Sequence, residues 1–390
     1  MKTPSSRIDV ADALRGFSIF AIAMLHSIEH FNCYSFPEAT SEWLRICDST
    51  VWDLLFFLFA GKAYAIFALL FGFSFFIQND NQERRGNDFR PRFAWRLLLL
   101  FVWGNINAIF FTGEILVTFA LMGLVLIPIS GMKNRTLGII AMICLLQPYE
   151  WFRLIYALLH PDYIAGASLD APFWSITMAA QQGASFLEMA RVNLWEGQLA
   201  SLAWAWENGR FFQIIALFIF GLLIGRTRFF EGTDEHLKRW KRILIVSILC
   251  FVPLYALRLS TPTLIDSATL RGPLTLIAKS LSDFAFMLFL MSSVVLAYYK
   301  TARGQRWLGK LIPIGRMSLT AYITQSIIGS FLFYHWGLGL YDTLGVTASL
   351  GVGILIFLLQ CAFANRWMKH HKQGPLEYIW KKATWIGAKR

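Results

Sequence analysis

The groups able to do chemistry in this chain lie inside apolar stretches. They are the imidazoles of His26, His30 and His335, the carboxylates of Asp12, Glu29, Asp53, Glu114 and Asp283, and the cations Arg15, Lys62, Lys279 and Arg316. Ionisable side chains in lipid are costly to keep there and mark function by default. Positions 12, 15, 19, 22, 26 and 30 advance by three or four, so a helix gathers them on one face. Arg15 and His26 then stand three turns apart, about 16 Å along the axis. That is comparable to the reach of a pantetheine arm, with the arginine on coenzyme A phosphates and the imidazole at the thioester. An imidazole of near-neutral pKa suits proton transfer at cellular pH. The alternative for a lone membrane histidine is a hydrogen-bond donor between packed helices.

His26-Ser27-Ile28-Glu29-His30 matches the zinc-hydrolase pattern H-x-x-E-H. No downstream carboxylate stands out to complete such a site, so no metal is expected. Arg90-Pro91-Arg92-Phe93-Ala94-Trp95-Arg96 places guanidinium groups at a helix mouth, which suits bidentate phosphate binding or plain anchoring on the basic side. Lys62 sits mid-span and needs an anion, with Glu114, Asp53 and a ligand phosphate as candidates. Ser318, Tyr322 and Gln325 form a polar stripe that must face protein or a cavity.

The elements that position these groups follow from composition. Of 390 residues 56% are apolar and 15% charged, where soluble proteins carry about 25% charge. Disordered, collagenous and disulfide-scaffold classes are excluded. The net charge of +12 does not imply nucleic acid, because the basic residues lie between apolar segments and not on one solvated face. The expected fold is an all-α polytopic membrane protein, a single domain over 1–390, with about ten transmembrane helices. They cover roughly 11–31, 51–77, 95–112, 115–132, 136–158, 211–226, 242–258, 277–299, 312–335 and 345–365. The fifth is interrupted by Gln147-Pro148-Tyr149-Glu150. On this reading 28 of the 36 basic residues fall on one side, which the positive-inside bias makes cytoplasmic, with both termini and the basic tail 366–390.

The first span has no cleavage site after it and reads as a retained signal anchor. Residues 160–210, between the fifth and sixth spans, mix tryptophan with polar residues and suit extracytoplasmic helices at headgroup level, roofing a site or anchoring the protein. Cys33 and Cys47 share the first outer loop, where an oxidising compartment permits a disulfide and two free thiols are the alternative. No inverted repeat and no Gly/Pro-broken helix pairs at corresponding positions are evident.

Several stretches carry a resemblance. Arg7-Ile8-Asp9-Val10-Ala11-Asp12-Ala13-Leu14-Arg15-Gly16-Phe17, Phe67-Ala68-Leu69-Leu70-Phe71-Gly72 and Gly113-Glu114-Ile115-Leu116 resemble the YeiB-like inner-membrane proteins, a domain-of-unknown-function family. So do Gly315-Arg316-Met317-Ser318-Leu319-Thr320-Ala321-Tyr322-Ile323-Thr324-Gln325, Gly337-Leu338-Gly339-Leu340 and Gln373-Gly374-Pro375-Leu376-Glu377-Tyr378-Ile379-Trp380. That family is similar in turn to the transmembrane acyltransferases, which include heparan-alpha-glucosaminide N-acetyltransferase and bacterial envelope O-acyltransferases. Leu14-Arg15-Gly16 with His26 keeps the spacing of several of the latter. The resemblance implies a bacterial inner-membrane enzyme with His26 in acyl transfer and arginines near Arg92 and Arg96 on the donor. Departures exist: YeiB-like members usually have Asn at position 26, and His in G-x-x-H where this chain has Gly104-Asn105-Ile106-Asn107.

The expected activity is transfer of an acyl group, most simply acetyl, from cytoplasmic acyl-CoA to a glycan, lipid or other small acceptor. His26, Glu114 and Asn107 form the catalytic set, Arg15, Lys62, Arg92 and Arg96 hold the donor, and Arg316, Tyr322 and Gln325 meet the acceptor. Membrane lipid is the expected partner, nucleic acid is not, and a homodimer is compatible. The alternative is a transporter or export factor with the same polar residues lining its path.

Overall fold

The computed structural model describes residues 8–31 and 33–387; Lys2, Arg7 and the last three residues of the tail lie outside them. Every regular element among the described residues is helical. The first half runs through α1 (Asp9–Ile28), α2 (Glu42–Phe59), α3 (Ala63–Glu83), α4 (Arg90–Ala108), α5 (Leu116–Gly123), α6 (Leu126–Ile129), α7 (Asn134–Leu145) and α8 (Pro148–Leu159). An irregular layer follows with α9 (Ala171–Gln181), α10 (Phe186–Val192), a π turn over Asn193–Gly197 and α11 (Gln198–Glu207). The second half holds α12 (Arg210–Arg226), α13 (Asp234–Leu264), α14 (Ala268–Lys300), α15 (Ala302–Gly309), α16 (Ile312–Gly315), α17 (Ser318–Phe333), α18 (Val346–Trp367) and α19 (Pro375–Thr384).

Five helical stretches are long and apolar enough to cross a membrane, and seven if each of two bent pairs counts as one span. The chain is a multi-pass membrane protein. Of the ten segments expected from sequence, three fall short of that measure for local reasons. α4 begins with three arginines and ends in Asn105 and Asn107; α5 and α6 are separate short pieces around Pro128; α17 has 16 residues because α16 is cut off before it at Arg316-Met317. α13 and α14, by contrast, extend to 31 and 33 residues, past the expected boundaries and through Pro253, Pro262 and Pro273.

α1 is the central helix: 78% of its apolar window is buried, against 11% for α13, whose Leu249 and Val252 face outward as a lipid-facing surface must. Close approach between the helices depends on glycine. A Cβ on Gly315 would come within 1.8 Å of the Asp12 carbonyl oxygen, and one on Gly221 of α12 within 1.9 Å of the Leu69 oxygen of α3. Small residues at crossings are how membrane helices gain contact without a hydrophobic drive between them.

The two ends of the bundle differ. At one end, Arg316 donates to Asp9 and Asp12, Arg226 donates to the carbonyls of Ser130 and Met132, and α19 lies against α4; the start of α1 and the C-terminal helix therefore share this basic end. At the other end Asp48 accepts from the Thr347 amide, joining the start of α2 to the start of α18. Helix continuity fails chiefly toward that end. α2 stops inside the bundle at Phe59, whose ring meets Phe17 and Phe20, and the chain turns through Gly61 at φ +80° before α3 begins. α7 and α8 meet at 48° around Gln147, which is left-handed at φ +58°, and α12 makes 75° with the α10–α11 segment before it. The break at Gln147-Pro148 falls where the sequence expects the fifth segment to be interrupted, whereas the turn at Gly61 divides the segment expected to run unbroken over 51–77. All five cysteines are free, and burial pushes the Cys33 thiol up to about 12.

Candidate functional site

The breaks surround a cavity of about 940 Å³ at the end opposite the basic one. Its walls come from the end of α1, the α2–α3 break, the loop before α5, α9 and α11, the start of α12, the last third of α13 and the middle of α14. Tyr34 and Asp53, both exposed, mark its mouth. Trp174, Gln181 and Trp204 close it from the 160–210 segment, so that segment roofs the cavity.

One wall is histidine and carboxylate. The rings of His26 and His30 stand edge to face at 5.4 Å, and both contact Phe111, at 4.5 and 5.2 Å. His30 Nε2 is 3.8 Å from Glu29, which accepts a hydrogen bond from the Tyr34 hydroxyl at 2.7 Å. Glu114 is 3% exposed and held in place by donors from the Asn107 amide and the Leu116 backbone. Asn107, at the end of α4, thus stands behind Glu114 and does not itself line the cavity. The buried Tyr322 hydroxyl has no hydrogen-bond partner among the described residues, and its ring is 6.2 Å from that of His26. Beside Tyr322 a narrow apolar cleft of about 40 Å³ continues inward between Ile19, Phe67 and Leu319.

The opposite wall is cationic. Lys62 Nζ lies 3.1 Å from Asp283 Oδ1, with Lys279 at 3.6 Å and Arg258 at 3.7 Å from the same carboxylate. Arg210 stacks over Tyr64 at 4.1 Å and Trp204 at 5.3 Å and donates to Gln213. Arg210 and Arg258 were not singled out by sequence; they are cations at the end that the positive-inside bias leaves poor in them.

The remaining expected site residues are elsewhere. Arg15 donates to Asp12 and Ser74, and Arg316 to Asp9 and Asp12. Arg92 donates to the Thr384 and Ile386 carbonyls at 3.0 and 2.9 Å, and Arg96 stacks on Trp380 at 3.7 Å. Gln325 donates to Gln360. The structure therefore brings together His26, Glu114, Lys62 and Tyr322, with Asn107 behind Glu114, and leaves Arg15, Arg92, Arg96 and Arg316 at the basic end in contacts of their own. Among the described residues no three His, Cys, Asp or Glu side chains converge as a metal cluster.

A family described as "Protein of unknown function (DUF418)" matches residues 224–387. The chain is 27% identical over 98% of its length, and 95% of the relative's, to the uncharacterized protein YxaH of Bacillus subtilis. It is 26% identical over 97% of its length to an uncharacterized 39.9 kDa protein in the amylase 3' region of Bacillus acidopullulyticus, covering 94% of that protein. It is 23% identical over 96% of its length to the uncharacterized protein YeiB of Escherichia coli, 95% of which is covered. Over nearly its whole length the chain is similar to YeiB-like proteins. No solved structure matches it. The matched DUF418 stretch begins near the end of α12 and supplies Arg258, Lys279, Asp283 and Tyr322 to the cavity, while His26, Lys62 and Glu114 come from before it.

Proposed function

We propose that this YeiB-like protein is a membrane-embedded acyltransferase of the bacterial inner membrane, moving an acyl group from cytoplasmic acyl-CoA to a hydroxyl or amine of an envelope glycan or lipid. The observation that carries the reading is the placement of His26 and the Asn107-held Glu114 on one cavity wall, with room beside them for an acceptor. His26 takes the proton from the acceptor hydroxyl as its oxygen attacks the thioester carbonyl; the acyl–oxygen bond forms, the acyl–sulfur bond breaks, and coenzyme A leaves as the thiol carrying a proton. Glu114 orients the acceptor, and Tyr322 stands where the donor arm would enter along the apolar cleft. On the basic side Arg15, Arg92 and Arg96 are the donor's phosphate partners, reached once the end of α19 moves off Arg92 and Arg96. The cavity then opens to the extracytoplasmic side, ten spans place both termini in the cytoplasm, and the 160–210 segment is its roof.

The test is acyl transfer from radiolabelled acetyl-CoA by the full chain in nanodiscs of envelope lipid. His26→Ala should lower the rate by about 10²–10⁴-fold, the usual worth of a positioned general base. Unchanged transfer at equal protein level would remove the catalytic role of His26.

The breaks at Gly61 and at Gln147 and the sharp bend into α12 favour a second reading, transport of a small anion, since transporter sites form at discontinuous helices. Uptake into vesicles that needs a proton gradient and ignores coenzyme A would favour it over the enzyme.

A further inference from the structure

We infer that the cationic wall of the cavity, Lys62, Arg210, Arg258 and Lys279 arranged about Asp283, is a binding site for a phosphate group on a ligand that enters from the roofed end. Three of the four cations lie within 4 Å of one carboxylate: Lys62 at 3.1 Å, Lys279 at 3.6 Å and Arg258 at 3.7 Å. The fourth, Arg210, lines the same cavity and stacks over Tyr64, two residues along the chain from Lys62. Four formal positive charges thus meet one negative charge in the interior of a membrane protein.

Among the described residues no other carboxylate of the cavity lies within 4 Å of these four cations. Glu29 accepts from Tyr34, Glu114 from Asn107 and the Leu116 amide, and Asp170 from Ser168 and Trp174, while Asp53 is exposed at the mouth. Lys62 and Arg210 are buried while Lys279 and Arg258 are partly exposed to the cavity, and charge held away from bulk water in such excess is completed by a guest anion.

Arg210 supplies an independent sign of a guest. It is 6% exposed, its ring partners Tyr64 and Trp204 hold the guanidinium, and its buried Nε has no hydrogen-bond partner. A buried guanidinium N–H without an acceptor costs free energy that a ligand oxygen would return.

The charge selects the ligand class. A phosphate monoester brings close to two negative charges and three acceptor oxygens, and two guanidinium groups and two ammonium groups match it better than they match a single carboxylate. Phosphate on a soluble molecule and phosphate in a lipid headgroup share this chemistry. The site stands whether the cavity performs acyl transfer or transport; under the acyl reading it makes the acceptor a phosphate-bearing molecule.

The experiment uses the full chain. Binding of inorganic phosphate and of glycerol 1-phosphate is measured by titration calorimetry in detergent. Displacement of the bound phosphate is then followed in nanodiscs of phosphatidylcholine with and without phosphatidic acid. Saturable binding, weakened at least tenfold in Arg210→Gln and in Lys279→Gln, is the expected result. Displacement by phosphatidic acid assigns the site to a lipid headgroup, and its absence assigns the site to a soluble phosphate. Should Arg210→Gln fail to fold, Lys279→Gln alone decides, since that side chain is partly exposed. No saturable binding of either soluble phosphate and no phosphatidic acid effect, or wild-type affinity in folded variants, would overturn the site. His26→Ala separates the two readings: phosphate affinity should survive it while acyl transfer does not.

Discussion

The Lys62 ammonium reaches the Asp283 carboxylate at 3.1 Å, tying the break between α2 and α3 to the middle of α14. Both groups are about 5% exposed, yet they are not equivalent. Asp283 is shared by Lys279 and Arg258, whereas the four cations have no other carboxylate in common. Asp283→Asn should therefore cost about 3–5 kcal/mol, the usual loss when one member of a buried ion pair is removed. Lys62→Met should cost clearly less, because it removes one positive charge from an excess and leaves Asp283 still paired. Unfolding midpoints in detergent check the order, and a Lys62→Met protein less stable than Asp283→Asn would contradict it.

At the basic end Arg92 and Arg96 serve α19 in this structure. Arg92 donates to two carbonyls at the end of the helix and Arg96 lies on Trp380, whose indole donates to the Arg96 carbonyl at 3.3 Å. If these arginines also hold the phosphates of acyl-CoA, donor and helix compete for them. Saturating acyl-CoA should then raise amide exchange over residues 375–386 several-fold, and Arg92→Ala should raise it without any donor. Acyl-CoA binding that leaves this exchange unchanged would place the donor's phosphates away from Arg92 and Arg96.

Much of this was legible in residue order. Apolar runs and basic loops marked an all-helical membrane protein, and the three-and-four spacing put Arg15 and His26 on one face of the central helix. What residue order did not reveal was depth. Arg15 and Arg316 look alike as charges near helix mouths, and only the fold shows both spent on Asp12, whereas Lys62 looks isolated and proves to be one of four cations around Asp283. A trace of that cluster was present. Eight basic residues escape the positive-inside bias, and four of them, Lys62, Arg210, Arg258 and Lys279, line the cavity. Their meeting depends on α13 packing along α14 and on Gly61 turning the chain, neither of which leaves a periodic signal. A Cβ at Gly61 would also lie 2.4 Å from an Asp283 oxygen, so the turn and the cluster specify the same residue.

The C-terminal motif has a structural basis that leads to a dependence on pH. Glu377 accepts from the Leu319 amide at 2.7 Å, the Thr320 amide at 3.1 Å and the Thr320 hydroxyl at 2.6 Å, capping α17 from α19, while that hydroxyl accepts from the Leu376 amide. Burial pushes the Glu377 carboxyl above its ordinary value, and the Thr320 and Leu319 donors pull part of that shift back. A carboxyl whose value is raised on docking holds more protons in the docked state than in the undocked one. The docking free energy of α19 must therefore fall as pH rises from the ordinary carboxylate value through the raised one, and it is greatest below that window. Hydrogen exchange over residues 375–384, corrected for intrinsic rate, should show weaker protection at about pH 7.5 than at about pH 5. Glu377→Gln removes the titrating group and should flatten that difference while lowering protection overall, because with the amide oxygen on the Leu319 and Thr320 backbone donors the amide nitrogen faces the Thr320 hydroxyl and cannot accept from it. The same pH dependence in Glu377→Gln would show that another group governs the docking of α19.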